Sequence, residues 1–181
     1  MIYNIDMRMF STVYNMPVNS LNEGMTVGVV EDIIINPDTG QVLGFKLSET
    51  SIRERYILVA SDIREINDLM LIIDDSQNLS TLDEVIKIAE VVGKKIKWMG
   101  IKVETDLGRK LGKIEDLAFD TTNFYLTRIY TSGGLIKEAL SLEKTIIPAN
   151  KIIKVTKKVV IVEDSYVKNK KSSEAIAPEA A

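Results

Sequence analysis

The feature that most constrains this chain is that it carries one pattern twice. Gly24-Met-Thr-Val-Gly28-Val-Val-Glu31-Asp32 recurs as Gly108-Arg-Lys-Leu-Gly112-Lys-Ile-Glu115-Asp116, with both glycines and both acids displaced by 84 positions. Further on, Ile57-Leu-Val-Ala60-Ser-Asp-Ile63 returns as Ile146-Ile-Pro-Ala149-Asn-Lys-Ile152, displaced by 89. The same displacement relates Ile66 to Val155, Ile72 to Ile161 and Asp74-Asp75 to Glu163-Asp164. The change of five marks one insertion, placed around Thr131–Glu143. A unit this long, present only twice, predicts two duplicated domains and not a solenoid, which needs at least three short repeats.

Each copy reads as β structure. Val27–Ile35 is dense in Val and Ile, and Asn36-Pro-Asp-Thr-Gly40 follows it. Pro37 suits the first corner of a type I turn and Gly40 the left-handed position of a bulged hairpin. Val42–Leu47 is then the return strand, with Tyr56–Ala60, Ile63–Ile66 and Leu69–Ile73 as further short strands. Leu111–Phe119, Phe124–Tyr130, Lys144–Ile147, Ile152–Val155 and Val159–Val162 repeat the scheme. Many short strands at this spacing predict small barrels or sandwiches. Closing such a sheet on itself would protect its edges.

Between the copies, Ser80–Lys97 predicts one helix. Thr81-Leu-Asp-Glu84 has capping-box form, and Leu82, Val85, Ile86, Ala89 and Val92 recur at helical spacing. Gly93 is the expected stop, and the apolar stripe is expected to pack on one of the barrels. The expected division is therefore 1–76, a connector at 77–97, 98–165, and a polar, Pro-containing tail at 166–181 read as disordered.

Composition narrows the chemistry. The 181 residues include no Cys and no His. That removes disulfides, thiolate nucleophiles, Cys-ligated metals, His-ligated haem and Ser-His-Asp catalysis. Net charge is −3, but residues 1–75 hold 5 basic against 12 acidic side chains and residues 76–181 hold 18 against 14. The whole chain thus lacks a footprint for strong nucleic-acid binding, while the opposed halves suit partner steering or self-association. No apolar run approaches the roughly 18 residues of a membrane span. The first fifteen residues have no apolar core of a secretory signal. A cytoplasmic location is the expectation, with any membrane attachment made through a partner.

The pattern resembles the PRC-barrel family in tandem form. The residues that carry the likeness are the lead-ins to Val18 and Val103, Gly24/Gly108, Gly28/Gly112, Glu31-Asp32/Glu115-Asp116, the turn Asp38 with Asp120 as a looser match, and the Ile-Pro-Ala-x-x-Ile element ending at Ile152. The likeness covers roughly 7–75 and 98–164, and Val59 stands in the first copy where the second has Pro148. It implies a mainly all-β protein: two small, strongly bent PRC-like β-barrels joined by one α-helix. It also implies a binding module with no catalytic residue set, similar to a domain of the photosynthetic reaction-centre H subunit, to half of a ribosome-maturation factor and to some archaeal cell-division adaptors.

The functional expectation is a non-catalytic scaffold or adaptor for a protein partner, without cofactor or metal. Gly24, Gly28, Gly40, Gly108 and Gly112 are read as structural turn and bend positions. The acid pairs are read as unable to converge on a metal, because adjacent strand residues point to opposite faces. Tyr125 and Tyr130, five apart, are placed on opposite sides by the same count. Trp98, beside Lys94, Lys95 and Lys97, is read as packing in a barrel or between domains. The insertion supplies the expected partner contact at Leu135, Ile136, Ala139 and Leu140. The alternative is an RNA- or ribosome-associated factor, disfavoured by the acidic first copy and by the lack of the separate N-terminal domain such a factor carries.

Overall fold

The computed structural model describes residues 6–132 and 145–165. The elements run β1 (Met7–Met9), α1 (Phe10–Val13), β2 (Pro17–Ser20), β3 (Met25–Ile35), β4 (Val42–Ser48), β5 (Ile57–Val59), β6 (Ile63–Ile66), β7 (Leu71–Ile73) and β8 (Leu79–Ser80). They continue with α2 (Ile86–Gly93), β9 (Lys102–Thr105), β10 (Lys110–Asp120), β11 (Tyr125–Thr131), β12 (Thr145–Pro148), β13 (Ile152–Val155) and β14 (Val159–Val162). The protein is mainly β, as the strand-dense sequence predicts.

The duplication is written into the topology. The first sheet runs β6-β7-β2-β3-β4-β5-β8, and the second runs β13-β14-β9-β10-β11-β12. Position for position these are the same six-strand order, and each contains one parallel pair, β2 with β7 and β9 with β14. Each ladder is open along its hydrogen bonds. The two ends of the shared six-strand order, β5 with β6 and β12 with β13, are instead joined covalently by a 3₁₀ turn, Ala60–Asp62 or Ala149–Lys151, so the sheet folds back on itself. That is the role of the recurring Ile-x-x-Ala-x-x-Ile element.

Bulges repeat as well. The register skips one residue at Val27, Glu31 and Leu43 in the first copy, and at Leu111, Glu115 and Thr127 in the second. A bulge bends the strand and increases its twist, which lets one eleven-residue strand serve two neighbours at different angles. Gly112 sits inside such a bend at φ 98°, where an added Cβ would lie 1.7 Å from the Ser132 carbonyl oxygen. Its counterpart Gly28 keeps ordinary φ and is crowded by Leu47. Gly24, Gly40 and Gly108 occupy turns at positive φ.

Two strands lie outside the shared six-strand order. β1 pairs with β10 of the second copy, Met7 opposite Asp120, and β8 extends the first sheet to Ser80. The connector also differs from expectation. Glu84 accepts the Thr81 N–H at 3.0 Å, but this closes a turn, and α2 begins at Ile86 without a side-chain cap. Its inward residue is Ile88, packed on Ile34 and Ile57 with Val85, Val91 and Leu82 alongside, whereas Ile86 is 72% exposed. Leu82 and Val85 of the expected stripe pack as counted, but within α2 the first sheet selects Ile88 and Val91, one residue before Ala89 and Val92. Among the described residues no helix is long and apolar enough to cross a membrane.

Candidate functional site

The recurring acids are occupied by the backbone. A bulge leaves main-chain groups outside the ladder. Asp32 Oδ1 accepts the Ile33 N–H at 2.9 Å, and Asp116 Oδ1 accepts the Leu117 N–H at 2.8 Å. Glu31 turns instead to Lys46, 3.0 Å away. The two carboxylates of that pair therefore serve different partners. Among the described residues no group of three or more acidic side chains is placed to hold a metal.

The copies meet across a seam. Gln41 forms a β-bridge with Tyr125, the Val42 N–H donates to the Phe124 carbonyl at 2.7 Å, and the Leu126 N–H donates to the Gly40 carbonyl at 2.8 Å. Under the displacement of 84 these two hydrogen bonds exchange with each other. The contact is isologous, the geometry of a two-fold dimer built within one chain. Behind it the Phe45 and Phe119 rings lie 5.9 Å apart, both fully buried, in a cluster that draws on both sheets.

The lead-in segments show where the symmetry fails. The Asn15 N–H donates to Val30 and the Gly100 N–H to Ile114, while Val30 and Ile114 donate back to Met16 and Ile101. Upstream of Val13 and Trp98 the match ends. In the first copy β1 and α1 lie along β10, and the Ser11 N–H donates to Asp116 at 3.0 Å. In the second copy the corresponding residues are the last two of α2 and the turn that follows it. Asp32 consequently faces a cleft of about 410 Å³, walled by Ile33, Ile34, Val91, Val92, Ile96 and Trp98, with Lys46, Lys95 and Lys97 at its polar margin. Burial pushes the Asp32 carboxyl up, against a smaller opposing pull from the Ile33 N–H and from Lys46 and Lys97. A second cleft of about 500 Å³ lies on the seam, between the Pro37–Gly40 turn and Ile152–Val155.

Trp98 walls both clefts and joins the common core at 5% exposure. Its indole N–H is buried and has no hydrogen-bond partner. Of the neighbouring lysines, Lys94 pairs with Asp38 at 2.5 Å, tying the connector to the first hairpin. The two tyrosines require a correction. The bulge at Thr127 places both Leu126 and Ile129 inward, opposite Phe119 and Leu117. Tyr125 and Tyr130, opposite Asp120 and Asp116, therefore share the other face. A count of alternation could not include the extra residue.

The expected contact residues Leu135, Ile136, Ala139 and Leu140, and the tail 166–181, lie outside the described residues. The sequence reading missed the α2–β3 cleft. Its only local signals are Asp32 itself and the helix that replaces a strand ahead of Trp98.

Residues 6–79 match the family described as the PRC-barrel domain. No curated protein matches the chain.

Proposed function

We propose that this chain, which carries a PRC-barrel domain over residues 6–79, is a non-catalytic adaptor whose two copies together present one composite surface to a protein partner. The observation that carries this reading is the isologous seam at Gln41 and Tyr125, backed by the shared Phe45–Phe119 core. Two small sheets locked this way hold their outer surfaces in fixed register, which suits recognition of a partner at more than one point. The recurring acids support the same reading, since Asp32 and Asp116 each accept a main-chain N–H at a bulge. The acidic first copy and basic remainder add complementary steering.

The test is co-purification of the tagged full chain from its native cells, followed by reconstitution with the recombinant partner. A stoichiometric complex that survives nuclease and moderate salt is expected. Recovery of ribosomal proteins and rRNA, lost after nuclease treatment, would overturn this reading in favour of an RNA-associated role.

A further inference from the structure

The duplication makes one difference between the copies informative. On β10, the stretch Ala118–Asp120 carries β1 as an added antiparallel strand, and the chain then delivers the Ser11 N–H to Asp116. The matching stretch, Ile34 and Ile35 of β3 with Asn36 just past its end, has no added strand among the described residues. The side of β3 away from β4 is flanked by β2 only as far as Val29. Helix α2 is held over the face of β3 and its neighbours β4 and β5, with Ile88 packed on Ile34 and Ile57, and the 410 Å³ cleft runs from that face past Asp32–Ile35 to Ile96 and Trp98.

The groups around this space are complementary to a main chain. Asp32 offers acceptor capacity where its twin takes a backbone N–H. Trp98, which walls this cleft and the one on the seam, carries a buried N–H with no acceptor. Ile33, Ile34, Val91 and Val92 supply apolar walls, and exposed Lys95 and Lys97 stand at the margin. A cleft of this size lies in the ordinary range for ligand sites. A strand with no neighbour on one side and side-chain pockets beside it is also how extended peptides are captured.

We infer that the cleft between α2 and β3 binds an extended segment of the protein partner, laid along β3 as β1 is laid along β10, with alternating apolar residues and an acidic residue toward Lys95 and Lys97. The inference rests on the adaptor reading and specifies its contact.

Short random peptides displayed on phage, panned against the full chain, test it. Enriched peptides are resynthesised and titrated while the emission of Trp98, the single tryptophan, is followed. The expected peptides alternate apolar residues, carry an acid and shift that emission saturably. Val92→Arg, at a 39% exposed wall position that should not disturb folding, weakens them at least about tenfold. Lys95→Glu removes the acidic preference. Failure to enrich any peptide, or enriched peptides that bind Val92→Arg and Asp32→Ala as tightly as the parent, would overturn the inference. A reconstituted partner that binds Val92→Arg and the parent equally leaves the adaptor reading standing and removes only this contact. Absence of any stoichiometric protein partner removes the adaptor reading itself.

Discussion

Gln41 lies across an antiparallel bridge from Tyr125, the residue that holds its own position in the second copy. A residue that meets its own duplicate marks the local two-fold axis. Around that axis the two hairpins exchange equivalent hydrogen bonds, Val42 to Phe124 and Leu126 to Gly40. The duplicated units thus pack as the halves of a dimer would, and the connector α2 keeps them in one chain.

The shared core predicts joint unfolding. Phe45→Ala and Phe119→Ala should each cost about 3–5 kcal/mol, the usual loss for a buried phenylalanine. The double variant should lose less than the two singles combined, with a coupling of about 0.5–1.5 kcal/mol for the ring pair. Urea denaturation followed by circular dichroism and by Trp98 emission checks this. Coincident single transitions are expected, and two separable transitions would show that the copies fold independently.

Glycine substitutions should sort by space, with no regard to position in the repeat. A Cβ on Gly44 would lie 2.2 Å from the Leu58 carbonyl oxygen, and one on Gly112 would lie 1.7 Å from that of Ser132. Backbone atoms cannot step aside as a flexible side chain can. Gly44→Ala and Gly112→Ala should therefore each destabilise by at least about 2 kcal/mol. Gly93 ends α2 with nothing within 4 Å of an added Cβ. Gly93→Ala should be neutral or stabilising, by up to about 1 kcal/mol. Thermal melts of the three variants decide it, and equal losses at all three sites would contradict the packing described.

Asp32 should weaken the fold at neutral pH. Burial raises its carboxyl above the ordinary 3.8, so the folded chain holds that proton more tightly than the unfolded chain does. The associated stability is present below the unfolded value and is lost as pH rises through the folded one. Asparagine keeps an oxygen for the Ile33 N–H and carries no charge. Asp32→Asn should therefore match the parent in acid and exceed it at neutral pH. A chemical-denaturation series across pH measures the difference, and an advantage for the parent at neutral pH would reverse the sign assigned to burial.

How much of this was legible in the sequence depends on the range of each interaction. The bends at Gly28 and Gly112 are legible as recurring glycines, whereas the bulges at Glu31 and Glu115 are not, because a count of strict alternation has no place for the extra residue. The start of α2 was misplaced because Thr81 and Glu84 do make the reach-back contact of a capping box, yet in a turn. The buried phase of α2 was shifted because Ile34 and Ile57, far away in the chain, select Ile88. The pairing of β1 with β10 joins Met7 to Asp120 and has no local signature at all. The α2–β3 cleft follows from that pairing's absence on the other copy, a long-range difference with no local signature either.

As proposed, the chain recognises a protein partner through a surface fixed by its two fused copies. The most direct measurement is the mass of the complex reconstituted from the full chain and its co-purified partner, taken by light scattering after nuclease treatment. A defined protein–protein stoichiometry, retained when salt is raised, is the predicted result. A particle that contains RNA and falls apart with nuclease or salt would contradict the account.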